Sequence, residues 1–297
     1  MTTPGPVDLR LLRYFVAVVD EGHIGRAAER LHMTQPPLSR AMQRLEADIG
    51  APLLVRTPTG VRPTGTGAVL HEEARGLLAH AEAVRERVSG AAVLTVGTLV
   101  GSVDADASRA AAAFRESFPD VQVRIRESGL DDPSAGLRAG VVDVAVTRVP
   151  FEADGIVVRP LRADPVGVIL LADDPLAARD DVALRDLAGR RWFRFPEGTD
   201  RRWTEYWTGG ASSGDDVAAP GPVVRTVQEC LHAVLWSDSI GLGPAHQESP
   251  DGLLPEGLAW VPVRDMPPST LVVAWPAGST NRLADRFVEV TEAVYRR

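Results

Sequence analysis

GRAAERLHMTQPPLSRAMQRLE, residues 25–46, is the stretch whose reading decides the fold. Ala27, Ala28 and Leu31 set small residues and one anchor on a single helical face, so a neighbouring backbone can approach closely. His32, Met33 and Thr34 read as a turn. Thr34 has the chemistry of a helix N-cap, and Pro36 and Pro37 fall in the first turn that follows, where amides have no helical acceptor to lose. Leu38, Met42, Leu45 and Ile49, spaced four, three and four, set the buried stripe of a second helix. Its opposite face carries Gln35, Ser39, Arg40, Gln43 and Arg44. Arg can donate twice to a guanine edge, Gln can pair with adenine, and Ser reaches bases or phosphate. A helix-turn-helix unit offers its second helix to the major groove in this way. An amphipathic helix with a merely solvated polar face shows the same pattern, so the flanks must separate the two readings.

Upstream, Leu9, Leu12, Phe15, Val16 and Val19 mark an amphipathic helix that Gly22 ends. Downstream, Gly50 is a stop signal. Residues 52–56 (PLLVR) and 57–60 (TPTG), followed by Val61 and Arg62, then read as strand, turn and returning strand, a wing with Arg56 and Arg62 flanking its tip. A plain hairpin with solvated arginines is the alternative. From Gly67 to Ser89, Leu70, Ala74, Leu77, Ala81, Val84 and Val88 alternate spacings of four and three, the seam of a coiled coil. Such a helix can pack on its own domain, but the flanking regions read as complete without it, which favours a dimer helix.

The chain has 297 residues, enough for about two domains. Its 44% hydrophobic and 24% charged residues are those of an ordinary soluble protein. No run is apolar enough to span a bilayer and MTTPGPVDLR lacks a signal-peptide pattern, so a cytoplasmic location without membrane contact is expected. The single cysteine, Cys230, excludes an internal disulfide, and the six histidines form no ligand cluster at zinc spacing, so no metal and no cofactor are expected. Net charge is −8, but unevenly spread. Residues 1–67 hold eight arginines against six acids, whereas residues 91–297 hold 21 against 30. The basic part is the helix-turn-helix part, and its small excess makes non-specific DNA affinity modest unless copies act together.

Beyond the hinge candidate Ser89–Gly90, strand-like runs at 93–100, 121–127, 143–149 and 165–172 alternate with helical stretches. An α/β domain with a mixed sheet follows. Helices are expected between Asp104 and Phe118 and at the end of the chain, around Leu283, Phe287, Val290 and Val294. Three strands lead into helix starts, at Thr98–Ser102, Phe195–Thr199 and Arg225–Gln228, and helix N-termini offer unpaired amides that suit a carboxylate. An enzyme built on Cys230 and His232 is disfavoured, because residues two apart on a helix point to different faces. A solute-binding protein would account for the C-terminal half alone.

From Leu11 to Gly67 the sequence resembles the LysR-type transcriptional regulators. The likeness rests on RYFVAVVDEGHIGRAAERLHMTQPPLSRAMQRLEADIG, then Leu53, Leu54 and Arg56, then Thr64 and Gly67. It extends over essentially the whole chain, and HIGRAAERL with TQPPLSR is similar to the subgroup controlling catabolism of aromatic compounds and related acids. The resemblance implies a winged helix-turn-helix over residues 1–66, a dimerising linker helix and hinge over 67–90, and an effector-binding domain over 91–297. That domain would resemble a periplasmic binding protein, with α/β subdomain I at about 91–162 and 268–297 and subdomain II at about 163–267. It further implies a homodimer or homotetramer that binds an imperfectly palindromic double-stranded DNA operator, meets RNA polymerase, and senses a small organic acid. The DNA-binding residues would be Thr34, Gln35, Pro36, Pro37, Ser39, Arg40, Gln43, Arg44, Arg56 and Arg62. Arg148 matches an effector-contacting arginine of the subgroup, although an ion pair with Asp154 would explain it as well. Thr98, Ser102, Pro196, Thr199, Val227 and Gln228 fall at or near cleft positions. Departures are Leu54 where the family prefers Phe, Pro63 where Leu is usual, and LWSDS at 235–239 in place of a glycine-rich turn. Leu130 replaces a ligand-binding Thr of the subgroup, so the effector is expected to differ from the subgroup's own.

Overall fold

The computed structural model describes residues 8–58, 60–89, 92–99, 105–210, 221–245 and 254–296. The chain divides into two compact units, Met1–Ala91 and Ala92–Arg297.

In the first unit, α1 (Leu9–Glu21) is capped by the Asp8 carboxylate and ends at Gly22, whose φ of 60° closes the helix in a left-handed turn. A short α2 (Ile24–Arg30) leads through the turn to α3 (Gln35–Ile49), which Gly50 ends at φ 80°. Thr34 takes the N-cap position of α3, but its side chain makes no capping bond. A two-stranded hairpin follows, β1 (Leu54–Thr57) against β2 (Gly60–Pro63), and then α4 (Gly65–Ser89). Leu12, Phe15, Ala27, Leu38 and Leu45 meet in one core, each at most 2% exposed. Burying each of the larger ones stabilises the unit by roughly 1.5–3 kcal/mol. Ile49, expected to complete the α3 stripe, is instead 37% exposed, because it stands on the last turn, beyond the reach of that core.

The expected seam on α4 divides. Ala74 is fully buried and Leu70 and Leu78 pack with it on the helix-turn-helix core, whereas Leu77 and Val84 are 49% and 41% exposed. The first half of the helix therefore serves its own domain, contrary to the expectation that the domain is complete without it. The side chain of Val88 lies outside the described residues.

The second unit holds two sheets. The larger, in order β4-β3-β5-β10-β6, contains β3 (Val93–Leu99), β4 (Gln122–Ser128), β5 (Val144–Val149), β6 (Ile156–Asp164) and β10 (Ser269–Pro276). The β3 strand runs parallel to both its neighbours and β10 antiparallel to both of its own, so the sheet is mixed as expected. Helices α5 (Ala105–Ser117) and α8 (Arg282–Tyr295) cover it, with Phe114 and Phe287 5.4 Å apart between them. The smaller sheet, β8-β7-β9, contains β7 (Val166–Leu171), β8 (Gly241–Pro244) and β9 (Leu258–Pro262), with α6 (Arg201–Trp207) and α7 (Val227–Ser237) in the same lobe. The chain passes between lobes twice, at Pro165 and between Pro262 and Ser269. The β6 strand continues in the first lobe to Asp164, two residues past the expected change at 162.

Candidate DNA interface and effector cleft

The outer face of α3 takes shape because its inner face is apolar. With Leu38, Met42 and Leu45 in the core, Gln35, Arg40, Gln43 and Arg44 are turned outward and exposed, and Ser39 is half-buried. Thr34 and Pro36 are exposed at the start of the helix and Pro37 is half-buried. Arg44 pairs loosely with Asp48 at 3.8 Å, an exposed i,i+4 contact of small energy that DNA can displace. Among the described residues Arg40, Arg56 and Arg62 make no ion pair.

Arg56 and Arg62 stand on opposite strands of the hairpin, Arg62 opposite Val55 and Arg56 opposite Val61, both exposed. Two anchors fix this wing. The Glu46 carboxylate of α3 accepts the Leu53 and Leu54 amides at 2.8 and 3.1 Å, and the Val61 amide donates to the Gly22 carbonyl at 2.8 Å. At Gly60, φ is 142° and a Cβ would lie 2.1 Å from the Gly22 oxygen, so only glycine fits. One rigid unit thus carries groove-reading side chains on a helix and two cations on a wing.

In the second unit, hydrogen bonds join loops of the two lobes, where the sequence places the effector cleft. The Leu130 amide donates to the Arg225 carbonyl at 2.7 Å, and the Glu152 amide to the Asp200 carboxylate at 2.8 Å. Thr98 stands next to last in β3, half-buried, Pro196 and Thr199 bracket a turn, and Val227 and Gln228 open α7, half-buried and exposed. Ser102 lies outside the described residues.

Two of the three expected helix N-termini are already occupied by the chain's own carboxylates. Asp200 caps α6 by accepting the Arg202 and Trp203 amides. At α7 the Thr226 hydroxyl accepts the Glu229 amide, and the Glu229 carboxylate accepts the amide of Arg225, the residue just before the cap, at 2.6 Å. These carboxylates oppose rather than invite an anion, so the helix termini are weaker anion sites than their positions implied.

Arg148 is paired with Asp164, 2.5 Å away, and donates to the Ser269 hydroxyl at 3.1 Å; Asp154, proposed from proximity in sequence, is not its partner. The sheet register brings this about. Arg148 and Arg162 both face Leu271 of β10, one from each side, and Asp164 lies two residues beyond Arg162. Arg162 donates to Asp164 at 2.7 Å and to Asp106 at 3.1 Å, and Asp106 also holds Arg109. Burial alone would raise the Asp164 carboxyl, but hydrogen bonds and charge from Arg162 and Arg148 overcome it and hold the group below its ordinary value. Sequence reading missed Asp106, Arg162 and Asp164, which form this cluster at the crossing between lobes.

Cys230 is buried in α7, and burial, helped by Glu229, pushes its thiol up to about 12. It is a thiol rather than a thiolate near neutrality, unsuited to nucleophilic or redox work. His232, two residues on, is exposed. Among the described residues no group of His, Cys, Asp and Glu could hold a metal ion, and no helix is long and apolar enough to cross a membrane.

A winged helix-turn-helix followed by a two-lobed α/β domain defines a class of DNA-binding regulators with a ligand-binding half. The bacterial regulatory helix-turn-helix family, lysR type, is matched over residues 9–68, and the LysR substrate binding domain over residues 89–296; the chain belongs to the LysR family of transcriptional regulators. It is similar to the HTH-type transcriptional regulator BudR of Raoultella terrigena, 28% identical over 294 residues, covering 96% of this chain and 100% of that protein. It is similar also to the regulator BenM of Acinetobacter baylyi, 28% identical over 287 residues, 90% and 93% of the two chains. The LysR family transcriptional regulator CbnR shares the fold, at a TM-score of 0.63 and 22% identity, covering 98% of this chain and 100% of that one. Members of this family are transcriptional regulators, not enzymes.

Proposed function

We propose that this regulator reads an imperfectly palindromic operator as a homodimer or homotetramer and senses a small organic acid in the cleft of its second unit. The observation that carries the operator reading is the outward face of α3, with Gln35, Arg40 and Gln43 beside the unpaired wing arginines Arg56 and Arg62. Arg40 and Gln43 read base edges, and Arg56 and Arg62 hold phosphates. Each DNA-binding unit has little excess positive charge, so two copies sharing one operator supply the affinity. The exposed Leu77 and Val84, seven residues apart on α4, support pairing through that helix.

Support for an acidic effector comes from the guanidinium groups gathered at the crossing, where Arg109, Arg148 and Arg162 meet Asp106 and Asp164. Thr98, Pro196, Thr199, Val227 and Gln228 are the side chains assigned to the cleft in this reading. The likeness of HIGRAAERL and TQPPLSR to the subgroup controlling aromatic catabolism favours an aromatic acid or a product of its breakdown. An effector changes how firmly the lobes close at Leu130–Arg225 and Glu152–Asp200, and so how the assembly bends or grips its operator. The regulator works in the cytoplasm, where operator and RNA polymerase are found. Thermal unfolding of the full-length protein across small aromatic and aliphatic acids and their neutral amides tests the effector class. An acid that raises the midpoint and alters the operator footprint supports it, and a response confined to neutral compounds contradicts it.

A further inference from the structure

Helix α6 carries Trp203 and Trp207 one turn apart on the same face, their rings 5.4 Å between centroids. Both are buried, 2% and 4% exposed. Neither indole N–H meets an acceptor, and the hydroxyl of Thr199, four residues before Trp203, is likewise buried without a partner. Neighbouring aromatic donors are satisfied: Trp260 donates to the Gly243 carbonyl at 3.1 Å, and Tyr206, on α6 itself, donates to the Pro267 carbonyl at 2.7 Å. Buried indoles usually find an acceptor, and a phenylalanine ring could be buried there without needing one.

The place of these groups matters as much as their chemistry. Thr199 closes the turn from Pro196, its amide donating to the Pro196 carbonyl, and directly precedes Asp200, the residue that reaches across the cleft to Glu152. The donor run therefore begins at the point where the two lobes are joined. It is also uncharged: Asp200 is already engaged by three amides and Arg138, and Arg148 by Asp164.

The geometry points to Thr199, Trp203 and Trp207 as an uncharged donor subsite of the effector cleft, extending into the second lobe and taking an oxygen acceptor of the ligand, a carboxylate or carbonyl oxygen. This rests on the cleft being the effector site. Indole can donate but not accept, so the subsite selects ligands bearing an acceptor there and rejects those bearing a donor. A trapped water could offer the same oxygen, and the experiment separates the two sources.

Benzoate and acetate, the second small enough to need only the acceptor oxygen, are titrated by calorimetry into full-length wild type, Trp203→Phe, Trp207→Phe and Thr199→Val. Thermal unfolding is followed without ligand, and Val227→Trp, which blocks the cleft, serves as control. The inference expects wild type to bind and each donor-removing variant to bind about tenfold more weakly, the loss of roughly one hydrogen bond. Without ligand, Thr199→Val should leave the unfolding midpoint unchanged or raise it, because it removes an unpaired buried donor at nearly constant volume, whereas the two tryptophan variants also lose buried ring volume and should unfold somewhat earlier. Thr199→Val is the smallest change and keeps the test open if a tryptophan variant fails to fold. Unchanged affinity in these variants overturns the inference, and a lowered midpoint in Thr199→Val, where almost no volume is lost, in that case identifies water as the acceptor. If Val227→Trp alone abolishes binding, the cleft reading stands without this subsite, and if binding survives there too, the cleft reading fails with it. Wild type that binds neither acid also overturns the subsite.

Discussion

Removing the Asp164 side chain should damage this protein more than removing that of Arg148, although the two form one ion pair. Their side chains are 9% and 12% exposed, so solvent screens the pair poorly. Asp164→Ala leaves the Arg148 guanidinium buried with only Ser269 to accept from it, and stranding a buried charge costs about 3–5 kcal/mol. Arg162, 31% exposed, can turn to solvent and keeps Asp106, so it adds little. In Arg148→Ala, by contrast, Asp164 retains two contacts from Arg162, and the loss should be closer to one charge-assisted hydrogen bond, about 1.5–3 kcal/mol. Asp164 also sets a pH dependence. Its folded pKa lies below the unfolded value near 3.8, so the stability it contributes is present above that value and is lost as pH falls through the lower folded one. Denaturant unfolding of the effector-binding unit, followed in the full-length protein from neutral pH downward, measures both effects. Asp164→Ala should have the lower midpoint and a shallower acid limb than wild type. Equal losses in the two variants, or an unchanged acid limb, would refute the reasoning.

Four further outcomes are expected. Arg40→Ala should cost about 1–3 kcal/mol of specific binding and relax preference at one base position, whereas Arg62→Ala should weaken operator and random DNA alike and reduce the salt slope by about one; fluorescence anisotropy against ionic strength separates them. Leu77→Asp places a charge where the partner helix packs and should weaken the dimer and two-half-site binding, which light scattering and footprinting report. Gly60→Ala forces a Cβ against the Gly22 carbonyl at a left-handed φ and should loosen the wing, costing about 1–3 kcal/mol and lowering operator affinity without changing the response of the second unit to ligand. Cys230→Ser should leave operator binding and response to oxidant unchanged, with a modest fall in thermal midpoint.

What could be read in the sequence was local. The helix-turn-helix follows from the spacing of Leu38, Met42 and Leu45 and from Gly22 and Gly50 as stops, and the structure keeps all of these. The strands starting near 93, 122, 144 and 166 were legible because their apolar runs are short and β-branched. What depends on register was not. Arg148 and Asp164 are 16 residues apart and meet only because β10 inserts between β5 and β6, and no spacing rule carries that information. Ile49 and Leu70 follow the periodicity but differ in fate, since a helical pattern fixes a face and not what covers it at each end. The caps by Asp200 and Glu229 changed the reading of the helix termini because side-chain closure is a rotamer choice, invisible in residue spacing. The unpaired N–H groups of Trp203 and Trp207 depend on what surrounds each ring in the fold, which residue spacing does not record.

Selection of binding sites from random double-stranded DNA with the full-length protein tests the central claim most directly. Enrichment of two inverted half-sites about one helical turn or a multiple apart, with base preferences that Arg40→Ala relaxes and two-site occupancy that Leu77→Asp loses, is the expected result. Enrichment of no sequence, or of a single half-site bound equally by wild type and both variants, would contradict it.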